Sequence, residues 1–259
     1  MLLSEFKNFS QLIMKAMIFA AGLGTRLKDE TLHKPKALVE VGKKTLLQHA
    51  VEKLKSEGVT EIIVNVHHFS GQIIEFLGRK EFGVSIKISD ETDKLLNTGG
   101  GLKKVASLLK NDEPVLIYNV DILSDLNLRE LMQIHNRSGA LATVVVRKRE
   151  TERYFLFNRK KRLIGWVNKK TGEKKIAAHG EIKDAIEMAF SGIHIVSPEI
   201  FHLMPPEDCF SIIDLYIQLA EKYLITGYFD DSEWWVDVGK PEDLAAARQF
   251  FESQAKKSF

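Results

Sequence analysis

The sequence is poor in residues that would staple, anchor or polarise it. Its 259 residues contain one cysteine, Cys209. That excludes an internal disulfide and a multi-cysteine metal site, and makes a reducing compartment, the cytoplasm, the expectation. No apolar run approaches the roughly 20 residues that a membrane-spanning helix needs. The first stretch is interrupted by Glu5, Lys7, Asn8 and Gln11 and lacks the apolar core of a secretory leader, so neither export nor anchoring is expected. Charge of one sign is also missing. Lys and Arg number 37 against 35 Asp and Glu, a formal net charge of +2, spread without the basic stripe or tail that nucleic-acid binding requires. Repeats and low-complexity tracts are absent. A substrate must therefore be recognised by local chemistry.

What is present is an ordinary globular composition, 44% hydrophobic and 28% charged, enough to bury a sizeable core. Apolar runs bounded by turn residues alternate with segments of helical period, the pattern of βα units around a mostly parallel sheet. Strands are expected at residues 16–20, 61–66, 84–88, 114–120 (ending on Asp121), 141–146 and 188–196. Helices are expected at 45–56, 71–77, 99–109, 126–135, 211–223 and 241–251, the last with Pro241 in its first turn. From residue 147 to 189 short strands alternate with Lys-rich turns, which reads as an antiparallel flap and not a separate domain. Residues 1–13 precede the first strand as an N-terminal extension, either a short extra helix or an upstream start, and residues 14–259 read as a single domain.

The first strand runs into Ala20-Ala21-Gly22-Leu23-Gly24-Thr25-Arg26. Glycines directly after a strand let backbone N–H groups approach an anion, and a following helix N-terminus would add favourable charge. Gly22 and Gly24 suit that role. The loop is not a dinucleotide fingerprint, because the third glycine position is Leu27 and the second strand ends on His67 and His68 instead of an acid. Nor is it a Walker A loop, since Leu27 and Asp29 stand where its second glycine belongs. Its distinguishing residues are Arg26 and, ten positions on, Lys36 after Pro35. A planar guanidinium and a point-charge ammonium bracketing one site could hold a leaving pyrophosphate and offset charge developing on an α-phosphate.

Asp121 and Asp237 are placed at strand edges, each ahead of a helix. Ser124 or Asp125 would cap the helix after Asp121, leaving that carboxylate free. Two such carboxylates with phosphate oxygens and water suffice for Mg²⁺. Gly99-Gly100-Gly101 after Thr98 would let backbone pack against a base or ribose, although a glycine-rich turn into a helix explains it almost as well. His67 and His68 carry no zinc spacing, and Trp166, Trp234 and Trp235 read as core or flap residues, with ligand stacking the lesser use.

Together, the glycine loop, Pro35-Lys36, Asn97 to Gly101, Asp121, Phe190-Ser191-Gly192-Ile193 and Trp235-Val236-Asp237-Val238-Gly239 resemble, in content and order, the nucleoside-diphosphate-sugar pyrophosphorylase family over about residues 14–251. Within it the chain looks most like the short bacterial N-acetylmuramate-1-phosphate uridylyltransferases and the mannose- or heptose-1-phosphate guanylyltransferases. The resemblance implies a Rossmann-like three-layer α/β/α sandwich with a mixed, mostly parallel sheet. It implies transfer of a nucleoside monophosphate from UTP or GTP to a sugar 1-phosphate with Mg²⁺ as cofactor, by a monomer or small homo-oligomer. Arg26 and Lys36 would bind the triphosphate, Asp121 and Asp237 would hold Mg²⁺, and backbone at Ala21, Gly22, Leu23 and Gly24 would hold nucleotide. Thr98 and Gly99 would lie beside base or ribose, and Ser191 and Gly192 would border the sugar. The chain departs from the family at Val120, where glycine usually precedes the metal-binding aspartate. A second acyltransferase activity is not expected, because no hexapeptide repeats follow.

Two rival readings share the scaffold. A CTP:phosphocholine cytidylyltransferase would want aromatic residues around a quaternary ammonium, which the three tryptophans could supply. A non-catalytic nucleotide-sensing subunit would be expected to lose one of the four charged site residues, and all four stand here.

Overall fold

The computed structural model describes residues 14–109, 113–177 and 183–257. The expected N-terminal extension, residues 1–13, lies outside the described residues, as do residues 178–182 of the expected flap.

The first half is built of βα units. Strand β1 (Met14–Phe19) leads into the glycine loop and a short hairpin, β2 (Glu40–Val41) and β3 (Lys44–Thr45). Helix α1 (Leu46–Ser56) follows because Thr45 caps it, its hydroxyl accepting from Gln48 N at 3.1 Å, while Leu46, Leu47, Ala50, Val51 and Leu54 form one buried face. Next come β4 (Val59–Val66), α2 (Ser70–Gly78), β5 (Ser85–Asp90), α3 (Asn97–Lys104) and α4 (Ala106–Leu109). The expected single helix at 99–109 is thus two short ones.

In the second half, β6 (Val115–Asn119) and the three-residue β7 (Ile122–Ser124) precede α5 (Leu128–Ser138) and β8 (Ala142–Arg147). The cap of α5 is Asn127, whose side chain accepts from Glu130 N at 3.0 Å, and not Ser124 or Asp125. Those two are otherwise engaged: Ser124 Oγ accepts from Leu126 N, and Asp125 Oδ1 accepts from Trp234 N. Then follow β9 (Arg153–Phe157), β10 (Leu163–Asn168), β11 (Lys174–Ile176), the long β12 (Ile186–Val196), α6 (Ile212–Leu219), β13 (Ile225–Phe229), β14 (Trp235–Asp237) and α7 (Pro241–Lys257).

Strands β5, β4, β1 and β6 lie side by side in parallel, and β12 joins antiparallel to β6. Past it, β8 pairs antiparallel to β12 and parallel to β13. The region expected as a flap is a continuation of the same sheet: β12 also pairs with β9 through Ile186 to Met188, and β10 and β11 follow antiparallel. The alternation of β1 shows the three layers. Ala16 and Ile18 pack with Leu47, Val51 and Ile73 on one face, whereas Met17 packs with Leu102, Leu215 and Tyr216 on the other. Among the described residues no helix is long and apolar enough to cross a membrane.

The piece that matters for function is separate and small. β14 pairs antiparallel with β7, setting Asp237 opposite Ile122, and Val238 N donates to Asp121 O at 2.9 Å. Asp237, at the end of β14, is thereby brought beside Asp121, in the turn beyond the carboxyl end of β6, the edge at which open α/β sheets bind ligands.

Candidate active site

The glycine loop leaves β1 and is held from behind. Asn65, a buried amide in the apolar strand β4, accepts from Ala20 N at 2.7 Å and Ala21 N at 3.3 Å. Its own Nδ2 donates to Glu91 Oε1 at 2.8 Å, and Glu91 is 1% exposed. Ala21's amide is therefore already engaged by protein, and the loop face left toward the ligand begins at Gly22. Gly24 adopts φ 68°, the left-handed conformation that a side chain would resist, and its carbonyl accepts from Leu27 N. The helix N-terminus expected behind the loop does not form. Residues Thr25–Thr31 make a 3-10 segment interrupted at Lys28, with φ 47° and ψ −113°, so anion attraction here rests on loop amides and side-chain charge, not on an aligned helix dipole.

A pocket of about 610 Å³ opens over this loop, lined by Gly22, Leu23, Gly24, Arg26, Lys36, Thr98 and Asp121 among others. Lys36 begins a short 3-10 turn after Pro35 and is itself buried; its ammonium donates to Asp121 Oδ2. Asp121 lies beyond β6 in the turn to β7, not at the end of a strand. Val120, before Asp121, is buried among the apolar residues of this face and borders the pocket.

Asp237 faces Asp121 from β14. Burial and then the neighbouring Asp121 charge push its carboxyl above the usual carboxylate range, against the opposing pull of Lys36, Arg26 and Arg149. Its Oδ1 is buried with no hydrogen-bond partner. Gly239 completes this corner, because a Cβ there would stand 2.8 Å from both Arg26 Nη2 and Asp237 Oδ1. Two hard oxygen donors of like charge, one of them orphaned, suit a divalent cation. Among the described residues no three His, Cys, Asp or Glu side chains cluster as metal ligands, so such a cation would depend on phosphate oxygens or water for the rest of its shell.

Ser191 and Gly192 line a smaller arm of the cleft, about 180 Å³, together with Asn119, Arg149 and Asp237. Gly192 has φ 78°, and a Cβ on it would meet Ile122 Cγ1 at 2.6 Å. Here β12 breaks register between Phe190 and His194, the kind of bulge that re-aims backbone next to a site. The structure thus collects Gly22, Leu23, Gly24, Arg26, Lys36, Thr98, Asp121, Asp237, Ser191 and Gly192 around one cleft.

Gly99 is the exception. It does not line the pocket: its N–H donates to Phe210 O at 2.9 Å, and a side chain on it would collide with the Phe210 ring. Gly100 abuts the Asp208 carbonyl in the same way. The triplet is accounted for by the close approach of residues 208–210, and the cleft is reached instead by Asn97 and Thr98. Nor do the strand-end histidines line it: His67 Nδ1 is paired with Glu91 O, and His68 packs on Phe69. Trp234 stacks on Phe250, and Trp166 and Trp235 border the smaller arm or its surroundings.

Residues that line the cleft without having been marked in the sequence include Asn65, Glu91, Asn119 and Arg149. Asn65 carried a signal, a polar amide inside a β-branched run. Arg149 sat unmarked in a charged stretch.

A family profile described as nucleotidyl transferase matches residues 15–254. The chain is 33% identical over 251 residues to a mannose-1-phosphate guanyltransferase of Yarrowia lipolytica, covering 95% of this chain and 66% of that protein. It is 33% identical over 243 residues to an N-acetylmuramate alpha-1-phosphate uridylyltransferase of Caulobacter vibrioides, covering 90% and 94%. The chain thus spans just under two thirds of the guanyltransferase and nearly all of the uridylyltransferase. In fold it is similar to HddC from Yersinia pseudotuberculosis, with TM-score 0.73, 22% identity and coverage of 92% and 100%. A UDP-glucose pyrophosphorylase solved with UDP-glucose gives TM-score 0.74 at 18% identity, covering 94% and 100%.

Proposed function

The chain belongs to the nucleotidyl transferase family, and from that premise we propose that it transfers a nucleoside monophosphate from UTP or GTP to a sugar 1-phosphate, releasing pyrophosphate. The observation that carries this is the convergence of Arg26, from the glycine loop, and Lys36, from the short turn after Pro35, with Asp121 and Asp237 at one cleft. The relatives named for guanylyl and uridylyl transfer to sugar 1-phosphates support the same reading.

An oxygen of the sugar 1-phosphate attacks the α-phosphorus; a new P–O bond forms and the α–β bridging bond breaks, its electron pair leaving with pyrophosphate. The attacking phosphate is ionised at neutral pH, so no general base is needed, and the protein's task is placement and charge. Gly22 to Gly24 present backbone to the triphosphate. Arg26 and Lys36 bind it and offset charge on the leaving group. Asp121 and Asp237 would hold Mg²⁺, which when bound neutralises triphosphate oxygens. We read residues 14–259 as one domain acting on soluble substrates in the cytoplasm, as a monomer or small homo-oligomer. Phosphocholine is the less favoured acceptor, because Arg147 and Arg149 already lie over the Trp235 ring and would repel a quaternary ammonium.

Incubation with Mg²⁺, each nucleoside triphosphate and a panel of sugar 1-phosphates plus phosphocholine tests the proposal. Pyrophosphate release with UTP or GTP and a hexose 1-phosphate, lost on chelation, is expected. Release from no pair would overturn it.

A further inference from the structure

The smaller arm of the cleft poses an electrostatic problem. Asp237 lines it and Asp121 is close by. A phosphate bearing up to two charges, entering on that side, meets carboxylates first. Arg26 and Lys36 belong to the loop side, where the triphosphate is placed. A cation is needed on the other side.

Two arginines line the arm, Arg149 and Arg153, and Arg149 is the more enclosed, Arg153 being exposed. Arg149 follows β8 and is half-buried, with its guanidinium 4.9 Å above the Trp235 ring. Its Nη2 donates to Phe190 O at 3.1 Å, the one hydrogen bond that the side chain makes among the described residues. Its Nε is buried with no partner at all. A guanidinium remains charged at any physiological pH and carries five N–H groups in a rigid fork. Holding it half-buried and largely unsatisfied is costly unless a ligand completes it.

Its mount is built from β12 and β14. The bulge made by Gly192 presents the Phe190 carbonyl to Arg149. Trp235 Nε1 donates to Ser191 O at 3.0 Å, which pins the ring beneath the guanidinium to the same bulge. The arm also shares Asn119 with the loop pocket, so a ligand in it borders the triphosphate site.

We propose that Arg149 binds the phosphate of the acceptor, setting affinity for the sugar 1-phosphate and not for the nucleotide. The inference deepens the nucleotidyl-transfer reading and rests on it for the acceptor's identity. A planar fork matches phosphate oxygens in two parallel hydrogen bonds, which an ammonium cannot reproduce. Arg149 thus counters the like charge that the two aspartates impose on the acceptor.

Arg149→Met and Arg149→Lys test this, with the melting temperature and the KM for nucleoside triphosphate as controls expected to stay near wild type. The KM for sugar 1-phosphate should rise roughly 10- to 100-fold in the Met variant, the range for a charged hydrogen-bonding group, with the Lys variant in between. A second readout needs no turnover. Glucose 1-phosphate, mannose 1-phosphate and inorganic phosphate are titrated in chelator while tryptophan fluorescence or heat is followed; the wild type should bind and Arg149→Met should not. Should the wild type release no pyrophosphate with any pair yet lose phosphate binding on Arg149→Met, the anion site stands and the nucleotidyl-transfer reading falls. Should the wild type turn over while Arg149→Met keeps its acceptor KM within about twofold, the reading stands and this inference is overturned.

Discussion

Lys36 donates its ammonium to Asp121 Oδ2 across 85 residues of sequence, and the two side chains are only 10% and 18% exposed. The pair ties the segment after the glycine loop to the turn that carries the site's carboxylates. A lysine placed only to neutralise a surface acid would not be so enclosed.

Because each partner acts through the same cleft, their removal should not add. Lys36→Met and Asp121→Asn are each expected to lower turnover by about 10²- to 10³-fold, the scale for losing one preorganised charge contact. The double variant should lose little more than the worse single one, as groups that act as a unit do. Asp121→Asn relieves the repulsion on Asp237 but leaves the enclosed Lys36 ammonium without its charge partner, so its melting temperature should not rise while activity falls. Pyrophosphate release and thermal unfolding measure both; additive losses would separate the two residues' roles.

Asn65 borders the pocket and holds the loop from behind. Asn65→Leu strands two loop amides and one oxygen of the buried Glu91. Leaving buried polar groups unpaired should cost about 1 to 3 kcal/mol of stability. Affinity for nucleoside triphosphate should fall with it, because Gly22 and Gly24 lose their backing. Calorimetric nucleotide binding and urea unfolding check the pair of effects, and an unchanged nucleotide affinity would deny the loop this dependence.

Two histidines give the fold a one-sided pH dependence. Burial pushes His194, paired with Tyr216, down to about 3 and His135, between Thr143 and Ser197, down to about 4. Unfolded, both titrate near about 6.5. Between those values the unfolded chain binds more protons than the folded one, so stability is complete above about pH 6.5 and falls as the pH drops toward 4. Each histidine contributes up to about 1.4 kcal/mol per pH unit in that window. Urea unfolding at pH 7.5 and 5.5 should show a loss that His135→Gln or His194→Gln makes shallower; equal slopes in variant and wild type would contradict it.

What could be seen in the sequence follows from how local each cause is. Thr45 and the apolar face of α1 lie within a few turns of one another, and the glycine loop with Arg26 and Lys36 is nearly contiguous, so both were legible. The β14–β7 pairing is not local. Asp121 and Asp237 could each be singled out, but only that pairing shows that they face one another. The cap at Asn127 differs from expectation because Ser124 and Asp125 offered equally good local signals, and the helix expected after the loop gives way to a 3-10 segment kinked at Lys28. Asn65 and Glu91 meet only across β4 and the end of β5, and Arg149 acquires meaning from a bulge in β12 that no local pattern announces.

Glycine is where this distinction can be tested most directly. Gly22 and Gly100 look alike in sequence, each in a glycine-rich turn beside a helix-like segment, yet the space around them differs. A Cβ on Gly22 meets nothing within 4 Å and projects from the loop that lines the main pocket. A Cβ on Gly100 would collide with the Asp208 backbone carbonyl, which cannot swing aside like a side-chain end. Gly22→Ala should therefore leave the melting temperature within a degree or two and weaken nucleoside triphosphate binding several-fold, because the methyl group occupies room kept for ligand. Gly100→Ala should do the reverse. Overpacking against fixed backbone costs about 1 to 3 kcal/mol or more, which lowers the melting temperature by several degrees, while the folded fraction binds nucleotide nearly as the wild type does. Thermal unfolding and nucleotide titration of the two variants side by side decide it. A Gly100→Ala protein that melted normally and lost only nucleotide affinity would return the triplet to the ligand.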